Sequence, residues 1–329
     1  MIDIIMATYN GARYIAEQIR SILGSDEKDI RVLVYDDMSE DETPDIVKSF
    51  ADKAPGKVFC FKNEIRYGHC ANFLQGLKKA VREYPAEYYM FSDQDDLWLK
   101  DKISLCLARI RSLETNTADR SVDEESRTAK RSSEGVSSCT PCMVFTDAIL
   151  VNADAEPTGM TFIKADRLDA SKTDLAHLLM ENKCQGCTMM INNALAGMIG
   201  SYDERVRYHD WWIALIASAF GRIGFIDTPT LMHRQHEDNA VGQGSFTDYL
   251  RGRLHSGRKD ARERLKATFD QAAAFYKYYG RQLRRKDRMI VRAFLKLKDM
   301  NAVGKRVALL RYGYLKSGPA RNAGLMMYI

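Results

Sequence analysis

Three carboxylates fall within four residues in Phe91-Ser92-Asp93-Gln94-Asp95-Asp96-Leu97-Trp98. Placed together on one turn they repel, and a cation or solvent must relieve them. The alternative is a capping role, with Asp95 or Asp96 accepting from the first turn of the next helix. A second acidic turn, Asp36-Asp37-Met38-Ser39-Glu40-Asp41, and a polar one, Ala7-Thr8-Tyr9-Asn10-Gly11, precede it. Farther on, Tyr208-His209-Asp210-Trp211-Trp212 sets an acid at a helix start, beside two flat apolar rings that suit a sugar or aglycone. Met232-His233-Arg234-Gln235-His236 then combines Arg with two His, side chains fitted to phosphate or metal. Singly, each His reads as an ordinary surface residue and Asp210 as a helix cap.

Placing these groups requires the elements around them. Ile2–Ala7, Ile30–Val34, Val58–Phe61 and Glu87–Phe91 read as strands, with amphipathic helices between them marked by Ile15, Ile19 and Ile22, by Ile46, Val47 and Phe50, and by Phe73, Leu77 and Val81. Such alternation implies an α/β fold with a mostly parallel sheet flanked by helices. In open parallel sheets, ligands bind outside the carboxyl ends of the strands. Thr8, Asp36, Asp37 and the Asp93–Asp96 run all leave strands at that edge. No GxGxxG follows any strand, so the dinucleotide fingerprint is missing. Acidic turns suit ribose hydroxyls and a metal ion, with the metal bridging to a diphosphate. Core-like sequence resumes at Met143–Val151, Leu175–Leu179 reads as helix, and Gly186–Ile191, Ile223–Ile226 and Thr230–Arg234 read as strands.

Composition bounds the rest. The chain has 329 residues and a net charge of +5, and residues 245–329 hold 21 Lys+Arg against 6 Asp+Glu. The division expected is a domain over 1–244 and a basic helical region over 245–329, with 114–138 a polar, disordered insert too poor in apolar residues to order. The basic region is read as a solvated helical face, with contact to an anionic membrane surface as the functional alternative. No aromatic-interleaved basic motif marks a nucleic-acid reader. No run of about 18 apolar residues predicts a membrane span, and Met1 leads into a strand rather than a signal peptide, which predicts a cytoplasmic chain. Seven cysteines form an odd set, and 41 residues separate the pairs Cys139-Cys142 and Cys184-Cys187. That spacing exceeds a zinc ribbon's, so neither a disulfide framework nor structural zinc is expected.

The motifs Ala7-Thr8-Tyr9-Asn10-Gly11, Asp36–Asp41, Ser92–Trp98 and His209-Asp210-Trp211-Trp212 together resemble family 2 glycosyltransferases of the GT-A fold. Arg234-Gln235-His236 with Asn239 and Gly242 is similar to the bacterial rhamnosyltransferase-like branch, as is the tail ending Arg321-Asn322-Ala323-Gly324. The resemblance implies that Thr8, Tyr9, Asn10, Asp36, Asp37, Asp93 and Arg234 bind a nucleotide sugar. It implies that Asp93, Asp95 and His236 hold Mg²⁺ or Mn²⁺, that Asp210 is the catalytic base, and that Trp211 and Trp212 bind the acceptor. The reaction implied is inverting transfer of L-rhamnose from dTDP-rhamnose to a lipid-linked glycan of the cell envelope. A UDP-hexose donor, a catalytically silent nucleotide- or glycan-binding subunit, and a nucleotidyltransferase are the alternatives. The last lacks a Gly-rich basic loop after the first strand. At Asp210 the helix start lowers the pKa while the tryptophans raise it.

Overall fold

A computed structural model describes residues 1–115, 140–200, 202–236 and 258–329, with side chains in the last segment from 262 onward. Most of the polar insert, Cys139, Asn239 and Gly242 lie outside the described residues.

The four N-terminal strands form as the apolar runs dictate: β1 (Ile2–Thr8), β2 (Ile30–Asp36), β3 (Val58–Lys62) and β4 (Tyr88–Ser92). They pair in parallel in the order β3-β2-β1-β4. Alternate residues serve opposite faces of the sheet. Ile5, Leu33, Tyr35, Tyr89 and Phe91 enter one buried cluster, whereas Ile4, Met6, Val32, Val34 and Met90 enter the other. Helices α1 (Ile15–Leu23), α2 (Thr43–Lys53) and α3 (His69–Glu83) are the crossovers between these strands.

Beyond β4 the sheet becomes mixed. A two-residue strand β5 (Leu97–Trp98) precedes α4 (Lys102–Thr115). The remaining strands are β6 (Cys142–Val151), β7 (Pro157–Thr161), β8 (Met190–Asn192) and β9 (Arg222–Arg234). β8 joins the halves, running antiparallel to both β4 and β6, while β6 and β9 are parallel. Two expectations change. Gly186–Thr188 is a turn of 3₁₀ helix rather than strand, and the two short strands read around Pro229 are one strand with register shifts. Proline lacks the N–H of a ladder and sits at such an irregularity without leaving a donor unmet.

Between these strands lie the short helices α5 (Phe162–Ala165), α6 (Leu175–Met180) and α7 (Asn193–Ala196), then α8 (His209–Phe220). The C-terminal helices are α9 (Arg258–Tyr279), α10 (Arg285–Lys296), α11 (Ala302–Tyr312) and α12 (Pro319–Tyr328). Phe275, Phe294 and Tyr314 share one buried cluster with Trp212, Phe145 and Phe91. The basic helices therefore pack into the core of the sheet domain.

Candidate active site

At the carboxyl edge of β1 and β2, the first acids are structural. Thr8 Oγ1 donates to Asp36 Oδ1 at 3.1 Å, and the Ser39 amide donates to Asp36 Oδ2 at 3.0 Å. Asp37 accepts from Asn63 Nδ2, the Tyr67 amide and the Gly68 amide at 2.7–2.9 Å. With exposures of 0% and 3%, these carboxylates organise loops. The resemblance implies that they also meet a nucleoside; in this structure their oxygens hold the turns. Charged acceptors satisfied by several donors fix a loop strongly. What remains open at this edge is the part-buried Tyr9 ring, with the Arg66 guanidinium 3.7 Å above it, and exposed Asn10 at φ 49°.

The turn after β4 is locked to the turn after β1. Gln94 Oε1 accepts from the Tyr9 amide at 2.9 Å, and its Nε2 donates to the Tyr9 carbonyl at 3.1 Å. Gly11 makes this possible, because a Cβ there would lie 2.3 Å from Gln94 Oε1. The three aspartates then diverge. Asp93 Oδ1 meets His69 Nε2 at 3.1 Å. Asp95 Oδ2 meets His236 Nε2 at 2.8 Å, bringing together residues 141 positions apart. Asp96 is buried and does not cap α4; its Oδ1 accepts from His233 Nδ1 at 2.8 Å.

Two metal arrangements can be tested on this geometry. Asp95 and His236 present ligand-type atoms side by side at the mouth of the strand edge, with Asp93 27% exposed on the same turn. This donor set suits a hard divalent cation. Asp96, Cys187 and His233 also bring ligand atoms within 4.8 Å of one another. Burial works against a charged His233, but the Asp96 carboxylate outweighs it and raises its pKa to about 9. As it stands the trio is a buried ion pair with a thiol beside it, and a cation bound there would have to displace the His233 proton.

Arg234 is also structural. Its guanidinium donates to the Asp95 carbonyl, the Ala153 carbonyl and Glu17 Oε2, and its ring partner is Tyr14 at 4.6 Å. At 3% exposure it shapes the Asp95 turn.

Within reach of His69 stands Asp210, one residue inside α8 rather than at its cap, which is Tyr208. Its Oδ1 accepts from the Trp211 amide at 2.6 Å and its Oδ2 from the Gly186 amide at 3.0 Å. Burial dominates and pushes the carboxyl up to about 6, against the Trp211 and Gly186 N–H groups, the charge of His69 and an Asn182 contact. The helix start thus loses to desolvation. Gly186 serves twice, since a Cβ there would lie 2.5 Å from His209 Nε2. His209 stacks on Phe73 at 4.1 Å, and burial holds it neutral, well below its ordinary pKa.

The tryptophans do not form an acceptor platform. Trp211 is 4% exposed and donates Nε1–H to the Leu178 carbonyl at 2.6 Å; Trp212 is 2% exposed and packs on Phe275 and Tyr279. Helix α8 is apolar nearly all round, and such a helix is buried on every side. Sequence reasoning missed His69, which lies between the two acidic centres. Burial opposes its charge, but Asp93, with Asp210 and Asp95 beyond, raises its pKa. The available signal was its place right after Gly68, at the same sheet edge as the acids.

A mixed α/β sheet with a divided acidic turn at its strand edge and a lone acid on a facing helix is the architecture of GT-A glycosyltransferases. Residues 3–150 match the family model described as Glycosyl transferase family 2. Over these residues the chain is similar to the family 2 glycosyltransferases. The dTDP-rhamnosyl transferase RfbG of Shigella flexneri is 28% identical over 254 residues, covering 72% of this chain and 73% of the relative. Among solved structures, TarS 1-349 of S. aureus in complex with UDP-GlcNAc superposes with a TM-score of 0.54 at 15% identity, covering 94% of this chain and 86% of that one. The mannosyltransferase PcManGT of Pyrobaculum calidifontis, with GDP-Man and Mn²⁺, superposes with a TM-score of 0.53 at 17% identity, covering 99% and 78%. These two likenesses concern the fold.

Proposed function

We propose that this chain transfers L-rhamnose from dTDP-rhamnose to a hydroxyl of a lipid-linked glycan in the cell envelope, with inversion at the sugar. The donor reading rests on the likeness to the Shigella relative. The mechanism rests on one observation: Asp95 and His236 converge at 2.8 Å, and His69, bonded to Asp93 at 3.1 Å, also feels the charge of Asp210 on α8, which gathers these acids around one site. Asp93, Asp95 and His236 would hold a divalent cation. Bound there, it would neutralise the charge of the departing nucleoside diphosphate.

The remaining work falls to the protein's own groups. The Tyr9 ring under Arg66 offers a flat surface for the base. With its proton removed, Asp210 takes the proton of the acceptor hydroxyl as that oxygen attacks the anomeric carbon, and the diphosphate leaves from the opposite face. One carboxylate on the attacking side suffices, as in the base half of an inverting glycosidase. A pKa near 6 leaves this carboxylate both ionised and basic at neutral pH. The acceptor's lipid carrier would bring the enzyme to the cytoplasmic face of the membrane as a peripheral protein. Among the described residues no helix is long and apolar enough to cross a bilayer.

The test is a donor panel of dTDP-rhamnose, UDP-glucose and GDP-mannose against membrane-extracted lipid-linked acceptors, with and without chelator. Transfer only from dTDP-rhamnose, lost on chelation and in Asp95→Asn, is expected. Full activity of Asp95→Asn in metal-free buffer would sink the mechanism, and preference for another donor would remove rhamnose.

A further inference from the structure

Helix α11 (Ala302–Tyr312) carries its apolar residues on the wrong side for a core. Val303, Val307 and Leu310 are 69%, 58% and 66% exposed, although Ala308 and Leu309 of the same helix are buried. At 3.6 residues per turn, these three side chains fall within about 60° of arc. Arg306 and Arg311, both exposed, fall on either side of that arc. Arg306 donates to the carbonyls of Ala302 and Met326, which brings the end of α12 (Pro319–Tyr328) against the first turn of α11. Met327, 68% exposed, extends the apolar surface there. Scattered exposed apolar residues need no explanation, but an unpartnered stripe at helical spacing with arginines on both flanks does.

We propose that this face of α11, extended by the end of α12, is where the protein docks on an anionic phospholipid bilayer. Val303, Val307 and Leu310 would enter the headgroup–acyl boundary while Arg306 and Arg311 meet lipid phosphates. Charge complementarity selects this occupant. Residues 302–329 contain five Lys+Arg and no Asp or Glu, so a second copy of the same face would meet like charge, whereas an anionic leaflet attracts it. An apolar stripe bordered by Arg and Lys is the pattern of helices that lie in the interface plane without spanning. The inference deepens the reading of a lipid-linked acceptor by naming the surface that faces the lipid. Its assay uses neither donor nor acceptor, so its failure leaves the transfer reaction untouched.

The experiment is co-sedimentation of the full chain with vesicles of phosphatidylcholine alone or mixed with phosphatidylglycerol. The wild-type protein is expected to partition onto the mixed vesicles. The triple variant Val303→Gln, Val307→Gln, Leu310→Gln is expected to bind about tenfold or more weakly, and Arg306→Gln with Arg311→Gln to lose the preference for anionic lipid. A second reporter, Leu310→Trp, should show a blue-shifted emission only with the mixed vesicles. Wild-type partitioning by the triple variant, or no blue shift at position 310, overturns the proposal. So does a concentration-dependent dimer that the triple variant makes monomeric, because the stripe would then be covered by a second copy.

Discussion

At the scale of single residues, the site divides into groups that face a ligand and groups that hold those groups in place. Asp210 is poised by burial, and its pKa of about 6 makes a prediction about rate. In the proposed mechanism the ionised form is the base, so kcat/KM should rise with pH through a midpoint near 6 and level above it. Asp210→Asn should lower the rate by about 10²–10⁴-fold while leaving dTDP-rhamnose binding intact, as read by calorimetry. The charge of His69 is one of the influences holding the Asp210 pKa down. His69→Ala removes it, so the acid limb of that profile should move to higher pH. A profile that stays in place would show that His69 does not act on the base. Asp36 and Asp37 make the opposite point. Both were legible in sequence as site acids, yet their oxygens are taken up by Thr8, Ser39, Asn63 and backbone amides. Which side of a turn a carboxylate faces depends on partners up to 31 residues away, and a linear motif carries no such information.

At the scale of elements, the strand edge was read correctly because short continuous apolar runs and helical spacing are local signals. The β-strands of the first half and their crossovers follow from them. What escaped reading was non-local. Strand β5 has only two residues and exists because Leu97 and Trp98 pair with Met232 and Leu231 of β9. The tryptophans of α8 looked like a sugar platform because the sequence shows their type without showing that α6 and α9 cover them. Gln94 is the element-scale joint of the site, joining the turns after β1 and β4 through two hydrogen bonds to Tyr9. Gln94→Ala should leave the fold within about 1–3 kcal/mol of wild type but weaken donor binding, since both turns bear on the nucleotide in the proposed mechanism. Gly11→Ala should reproduce that loss, because the new Cβ displaces the same Gln94 side chain. Equilibrium denaturation read beside donor titration separates the two effects. A Gly11→Ala variant with unimpaired donor affinity would mean that the joint is dispensable.

At the scale of the whole molecule, the charge asymmetry that sets residues 245–329 apart does not coincide with a break in packing. The basic helices reach back to the loop that carries Gly186, whose amide donates to Asp210. Glu181 Oε2 accepts from Lys183 Nζ at 2.9 Å and from the Ser317 amide at 2.7 Å, and Glu181 Oε1 lies 3.1 Å from Arg321 Nη1. Lys183 is 1% exposed, so its charge has been removed from water and depends on this carboxylate. Burial raises the pKa of Glu181, but Lys183, Arg321 and Ser317 outweigh it and leave it below its ordinary value. A depressed carboxylate stabilises the fold fully above its unfolded pKa and loses that contribution as pH falls through the folded one. Glu181→Gln leaves Lys183 buried without its counter-charge, which costs about 3–5 kcal/mol when a buried pair is broken. The variant should therefore melt well below wild type at pH 7, and the gap should narrow as the pH is lowered past the ordinary glutamate value of 4.5. Differential scanning calorimetry between pH 3 and pH 8 reads both. A variant that melts with wild type at pH 7 would show that Glu181 does not hold the C-terminal helices, leaving Phe275 and Tyr279 on Trp212 as the bond between the basic region and the helix that carries Asp210.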